Sequence, residues 1–287
     1  MKIAVLGTGR MGTGLTEGLI NAGHETIIYN RTADKTVQLK KLGAKVAATP
    51  AEAIKEADVT IIVVVDGIAV RDILLNNDTK AVLKGKKILN AATTGVDEVI
   101  DIAKEVAELG GDLGETSILV GAEQLANNEG KFLVGCNDKF KTLWMNVLGS
   151  IGVAYHVGEV GNASKAETPM LFGSLFMGMT AAYSAAVAIK LNVPQEIIAQ
   201  QLSMVVPGAE YLVPGMMARD YSEVMASVEA FKGVADSAIR TTKSLGVPTK
   251  IIEDVFELYE EADKRGFGSQ DGTSIIEVLL DQKADNN

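Results

Sequence analysis

The sequence predicts an α/β chain in two parts: a doubly wound parallel sheet over residues 1–160, then a long interdomain helix leading into an all-α C-terminal domain over residues 161–287. Three observations predict it. Apolar runs alternate with helical patterns through the first half, and such alternation implies a parallel sheet with helices on both faces. Strand patterns stop beyond Gly161. Residues 170–189 contain no charged side chain, which marks a helix buried on most sides.

In order, residues 3–6 and 26–29 are short apolar runs and 45–47 a weaker one. The nearly unbroken β-branched run at 59–65 reads as a central strand buried on both faces. Residues 88–90 form a fifth candidate, and 117–120, 131–134 and 153–156 extend the sheet. Helical patterns lie between them, for example at 12–22, 35–42 and 50–55. In the second half, Asn192-Val193-Pro194, Pro207-Gly208, Pro214-Gly215 and Gly246-Val247-Pro248 punctuate one helix after another. The polar ending Asp285-Asn286-Asn287 is expected to fray.

Of the 287 residues 47% are hydrophobic and 22% charged, enough to build an ordinary core. The formal net charge of −10 argues against a nucleic-acid surface or an anionic membrane as partner. Cys136 has no second cysteine to pair with and reads as a small buried hydrophobe. Two histidines and one cysteine make no metal set, and His24 and His156 fall in turn and strand contexts that suggest structural roles. The chain opens directly on a strand pattern with no signal peptide, so a cytoplasmic location is expected. Residues 170–189 are long enough for a bilayer, but their small residues and lack of a flanking basic cluster favour a helix buried between domains or subunits.

Gly7-Thr8-Gly9-Arg10-Met11-Gly12 is a G-x-G-x-x-G that follows a strand and opens a helix. In this setting the first glycine permits the turn and the second the approach of a pyrophosphate. The third permits close helix–strand packing, and the helix N-terminus faces the anion. A Rossmann dinucleotide site is therefore expected here. At the end of the second strand, where a carboxylate would hold a ribose 2′-hydroxyl, the chain has Asn30-Arg31-Thr32. Arg31 can clamp a 2′-phosphate, with Thr32 and Lys35 adding contacts, so NADPH is the expected cofactor. Val65, at the end of its strand run, is expected to border the same site.

With these motifs, and with Gly158-Glu159-Val160-Gly161 before the long helix, the chain resembles the β-hydroxyacid dehydrogenase superfamily over essentially its whole length. The hydroxyacid branch carries a Ser-Gly-Gly substrate loop, where this chain has Gly121-Ala122-Glu123. The branch's catalytic lysine aligns with Glu167, and its asparagine four residues later with Leu171. An anionic hydroxyacid would meet charge of the wrong sign. The same stretches are similar to the imine reductases and reductive aminases: Glu123-Gln124-Leu125-Ala126-Asn127-Asn128-Glu129 resembles their P-E-x-I-G-x-x-E segment, with Ala122 in place of the proline. Asn90-Ala91-Ala92-Thr93-Thr94-Gly95 resembles their N-L-T-S/T-G loop. That family commonly has Asp or Tyr at the key position, so Glu167 retains an acid one methylene longer. The resemblance implies a homodimer with interlocked helical domains and a cleft formed by both subunits.

Reducing an imine requires a hydride and a proton for nitrogen. A carboxyl group in an apolar setting can stabilise an iminium or deliver that proton. On one continuous helix Leu171, Ser174, Leu175 and Gly178 would share a face with Glu167, and Met170 adds to the apolar setting. Two readings of Glu167 stand: a catalytic acid, or the last member of a capping box Ser164-Lys165-Ala166-Glu167. Pro169 would suit a first helical position, making Thr168 the N-cap. Thr94 is a candidate for hydrogen bonding near the nicotinamide, or a turn residue before Gly95. Tyr211 is a candidate for the cleft or for the core; Tyr183 lies too far along the helix. Asp220 and Glu223 read as a solvated helix face.

The first expectation is NADPH-dependent reduction of imines, extending to reductive amination of carbonyls. A hydroxyacid dehydrogenase with an atypical catalytic residue, and an NADPH-binding protein without turnover, are the alternatives.

Overall fold

The computed structural model describes residues 1–281; the polar ending at 285–287 lies outside the described residues. The chain divides into two compact units, Met1–Glu167 and Thr168–Asn287.

In the first unit the strands are β1 (Lys2–Leu6), β2 (Glu25–Tyr29), β3 (Lys45–Val46), β4 (Val59–Ile62), β5 (Lys87–Asn90), β6 (Asp112–Ile118), β7 (Gly130–Gly135) and β8 (Gly152–Gly158). Helices α1 (Arg10–Asn21), α2 (Val37–Lys41), α3 (Pro50–Glu56), α4 (Gly67–Leu74), α5 (Asn77–Lys80), α6 (Val96–Glu108), α7 (Ala122–Ala126) and α8 (Asp138–Gly149) lie between them. The sheet order is β3-β2-β1-β4-β5-β6-β7-β8, parallel except where β6 meets β7. A parallel crossover needs a dozen or more residues. The short connection containing α7 returns β7 antiparallel, and the longer α8 restores a parallel β8.

Alternate residues of β1 divide between the two faces. Ile3 and Val5 enter one core with Ile28, Ile61 and Leu89, while Ala4 and Leu6 enter the other with Ile27, Ile62 and Ile88. Burial on both faces is why β4 is β-branched throughout and apolar at every position but Thr60.

Several boundaries differ from the sequence expectation. β4 ends at Ile62 although the β-branched run continues to Val65. Val63 N still donates to Leu6 O, but there β1 ends as Gly7 turns away, leaving no backbone to pair. The segment expected as one helix at 35–42 is a 3₁₀ turn (Ala33–Thr36) followed by α2. β6 begins five residues ahead of the expected strand, because its polar and glycine residues Asp112, Gly114 and Glu115 do not read as β-forming.

Gly14 and Gly18 of α1 let α7 pack directly against it. A Cβ at Gly14 would stand 2.2 Å from Ala122 O, and one at Gly18 2.3 Å from Leu125 O.

Helix α9 (Asn162–Lys190) gives its first turns to the first unit and the remainder to the second. Pro169 lies inside it, so the expectation of a helix starting there with Thr168 as N-cap is corrected. The second unit adds α10 (Gln195–Ser203), α11 (Ala209–Ala218), α12 (Val228–Ser244), α13 (Lys250–Ala262) and α14 (Ile276–Leu280). Its core includes Leu175, Met179, Ala182, Val213, Val228 and Tyr259, with Tyr259 stacked on Phe231 at 5.4 Å between ring centroids. Asp220 and Glu223 lie in the non-helical segment after α11, which corrects their expected place on a helix face.

Candidate active site

The β1–α1 loop has the shape a dinucleotide needs. Gly7 holds φ +105°, and a Cβ there would meet Val63 O at 2.1 Å; a Cβ at Gly12 would meet Gly7 O at 1.9 Å. Only glycine fits either place. Gly9 is different: apart from its own stretch of chain, no heavy atom among the described residues lies within 4 Å of its Cβ position, so the space above it is open to a ligand. Gly9 is the N-cap of α1, and Thr13 N is bonded to Gly9 O. The N–H groups before Thr13, those of Arg10, Met11 and Gly12, therefore precede the helical ladder and face the anion position. The Thr8 hydroxyl is buried without a hydrogen-bond partner among the described residues. An open glycine, an orphaned hydroxyl and a helix N-terminus together fit a pyrophosphate.

Asn30 braces this loop to the end of β2. Its Oδ1 accepts from Thr8 N at 3.0 Å and its Nδ2 donates to Thr32 O at 2.9 Å. Arg31, Thr32 and Lys35 are exposed just beyond, and the Arg31 guanidinium has no partner among the described residues. Val65 is exposed in the loop after β4.

At the end of β5, Asn90 organises a second loop. Its Oδ1 accepts from Ala92 N at 3.1 Å, and its Nδ2 donates to Ala92 O and to Thr94 Oγ1, both at 3.2 Å. Thr94 is buried, and because its oxygen accepts from Asn90, its own proton is available to another group.

The third feature is a pair of carboxylates at one edge of β6. Glu115 and Ser117 are two apart on the strand and so point to the same face. Glu115, only 2% exposed, lies against the first turn of α9: its Oε1 accepts from Gly161 N at 2.6 Å and Ala163 N at 2.9 Å, and its Oε2 from the Ser164 hydroxyl. Its cross-strand partner is Gly135, where a Cβ would stand 2.8 Å from Glu115 Oε1. One turn along α9, half-buried Glu167 accepts a hydrogen bond from Ser117 Oγ at 2.7 Å. Burial pushes the Glu167 carboxyl above the ordinary carboxylate range; the Ser117 bond opposes this and the nearby Glu115 charge reinforces it.

This geometry removes one of the two readings of Glu167, the capping box. Ser164 is inside α9 rather than at its N-cap, and its hydroxyl is given to Glu115. The capping box is thus corrected: Glu115 holds the helix start, and Glu167 is turned to Ser117.

The helical-unit candidates behave differently from one another. Met170 is half exposed and Leu171 half-buried. Exposed Ser174 donates back to Met170 O at 3.3 Å. Leu175 is fully buried in its own unit's core, which corrects its expected place in a substrate pocket. Tyr211 is 75% exposed, so it is no core residue. His24 bonds Ser150 Oγ at 2.9 Å and His156 lies 3.4 Å from Cys136 O, both away from these loops.

Sequence reasoning missed Glu115, Ser117 and the bracing role of Asn90. A Glu and a Ser two apart, between Gly114 and Ile118, carry the strand period that could have revealed the first two.

A family model described as the NAD binding domain of 6-phosphogluconate dehydrogenase matches residues 2–160. Among curated relatives, the cytokine-like nuclear factor N-PAC of Bos taurus is 30% identical over 170 residues, which is 57% of this chain and 30% of that protein. The chain spans between 30% and 50% of the length of the N-PAC relatives it matches. The fold is that of a 3-hydroxyisobutyrate dehydrogenase (ygbJ) from Salmonella typhimurium, at TM-score 0.86 and 20% identity, covering 97% of this chain and 99% of the other. It is also that of an imine reductase from Myxococcus stipitatus in complex with NADP+, at TM-score 0.65 and 24% identity, covering 97% and 100%.

Proposed function

The chain belongs to the family of the NAD binding domain of 6-phosphogluconate dehydrogenase, and on that premise we propose that it is an NADPH-dependent oxidoreductase that reduces imines and iminium ions to amines. The observation that carries the proposal is the half-buried carboxyl of Glu167, held by Ser117 and pushed upward by burial, at the position that the resemblance aligns with the hydroxyacid dehydrogenases' lysine.

When bound, NADPH supplies the hydride that the substrate carbon accepts. The chain's residues do the rest. The α1 N-terminus and the Gly9 opening would hold the pyrophosphate, and Arg31 and Lys35 would meet the 2′-phosphate. Thr94, fixed by Asn90, offers its proton to the nicotinamide side of the site. Glu167 gives a proton to the imine nitrogen and is then reprotonated from solvent, so that hydride and proton together convert C=N to CH–NH. In its charged form the same group stabilises an iminium. The substrate class is an imine, or a carbonyl with an amine. Met170, Leu171, Ser174 and Tyr211 are proposed to meet it.

A homodimer is part of the proposal. Along α9 the side chains of Met170, Met177, Tyr183 and Val187 are each more than a third exposed, and Leu191 just beyond is 69% exposed. This stripe calls for cover, and a second copy of the same helix supplies a matching apolar face.

Incubation with NADPH and a cyclic imine such as a pyrroline tests the reading. Cofactor oxidation is expected. Turnover only with NADP and a 3-hydroxyacid would favour a dehydrogenase, and tight NADPH binding with no oxidation across amines and carbonyls a non-catalytic role. Glu167→Gln should lower kcat by roughly 10²–10⁴. A general acid must hold its proton, so wild-type kcat should fall as pH rises through the raised Glu167 value. A folded Glu167→Gln with turnover within a few-fold of wild type would remove the residue from the mechanism.

A further inference from the structure

Glu115 is the most deeply buried carboxylate of the first unit, and the reaction above does not use it. Its hydrogen-bond partners among the described residues are all donors: the N–H groups of Gly161, Ala163 and, at 3.4 Å, Ser164, and the Ser164 hydroxyl. Four donors and no acceptor suit a carboxylate anion, and the start of α9 adds the favourable end of a helix dipole. The opposing Gly135 has no side chain to displace the carboxylate from this position. On the same face of β6, Ser117 donates to Glu167. Two neighbouring positions of one strand thus hold the two ends of a single turn of α9, one through a charge and the other through a hydroxyl.

We propose that Glu115 and Ser117 are positioning residues that act through Glu167: Glu115 clamps the first turn of α9 to β6 and presents a negative charge to Glu167, while Ser117 holds the carboxyl in place by donating to it. The two exert opposite pulls on the Glu167 proton. A like charge nearby favours the protonated acid, and a donated hydrogen bond favours the carboxylate. Burial pushes Glu115 itself above the ordinary range while its four donors oppose that push. Glu115 faces Glu167 from β6, and Lys165, on the same helix as Glu167, reaches instead toward Asn162 Oδ1 at 3.4 Å. The balance leaves Glu167 aimed and above the ordinary carboxylate range, the direction that an acid donating to nitrogen requires. The inference rests on Glu167 as that acid, but its test does not need a substrate.

The test is the titration of the Glu167 carboxyl in the full chain, followed by carbon-13 NMR of labelled glutamate and assigned with Glu167→Gln. Glu115→Gln keeps an oxygen for the N–H donors and removes the charge; the Glu167 midpoint should fall by about one pH unit. Ser117→Ala should move it the other way, upward. A midpoint that is unchanged or raised in Glu115→Gln overturns the role of Glu115, and one that does not rise in Ser117→Ala overturns that of Ser117. Should Glu115→Gln fail to fold, Glu115→Asp, which withdraws the charge by a methylene, takes its place, with a smaller fall expected and no fall overturning the proposal. In imine turnover the high-pH limb of kcat should shift in the same directions, with KM little changed. Absence of imine turnover would sink the function proposed above, while the NMR titration would still judge this inference.

Discussion

Arg31 shows how much one side chain can state about a cofactor. It stands exposed and unpartnered among the described residues at the end of β2, where a carboxylate would exclude a 2′-phosphate. Charge-assisted hydrogen bonds contribute about 1.5–3 kcal/mol. Arg31→Ala should therefore weaken NADPH binding roughly 10- to 100-fold, and a calorimetric titration should show NADH binding almost unaltered. Equal loss for both nucleotides would give the residue another role. Cys136 makes a contrasting case. It is buried, and burial with the neighbouring Asp112, Asp138 and Glu159 charges pushes its thiol up to about 11. The thiolate is the reactive form. Maleimide should label Cys136 only when the protein is unfolded, and rapid labelling of the native chain would contradict its place in the core.

At the scale of elements, the close pairing of α1 with α7 depends on Gly14 and Gly18. A methyl group at Gly14 has no flexible neighbour to move aside, because the atom it meets is the backbone oxygen of Ala122. Gly14→Ala should lower unfolding free energy by about 1–3 kcal/mol in a denaturant titration. An unchanged midpoint would mean that α7 can shift freely. The elements themselves were largely legible. The apolar runs located β1, β2, β4 and β5, and the glycine pattern located the turn into α1. The antiparallel β7 was not foreseen, because apolar periodicity carries no strand direction. β6 was misplaced for a different reason: a buried Glu115 reads as a surface residue until its four donors are known.

For the whole molecule, the exposed stripe on α9 makes self-association the central expectation. Sedimentation should give twice the mass of the chain. The double substitution Tyr183→Glu and Val187→Glu, which places charge in the middle of the stripe, should give a monomer. A wild-type monomer at micromolar concentration would remove the second copy from the proposed site. The absence of charge over 170–189 was legible in sequence as burial. The structure adds that only one face of this helix is covered within the second unit, by the core that takes in Leu175, Met179 and Ala182.

By itself the sequence determined the glycine loop that opens a nucleotide-binding domain, because that pattern is local: three glycines, a helix start and the next strand's end lie within a few turns of chain. It also determined the change from alternating strands to continuous helix, since hydrophobic period is a property of neighbours along the chain. Only the tertiary structure decided what Glu167 touches. Its partner Ser117 lies 50 residues away, and Glu115, which takes over the capping role, lies 49 residues from Ser164. Hydrogen bonds across such separations leave no periodic trace in sequence, because they exist only once the strand and the helix have been brought together by the packing of other residues.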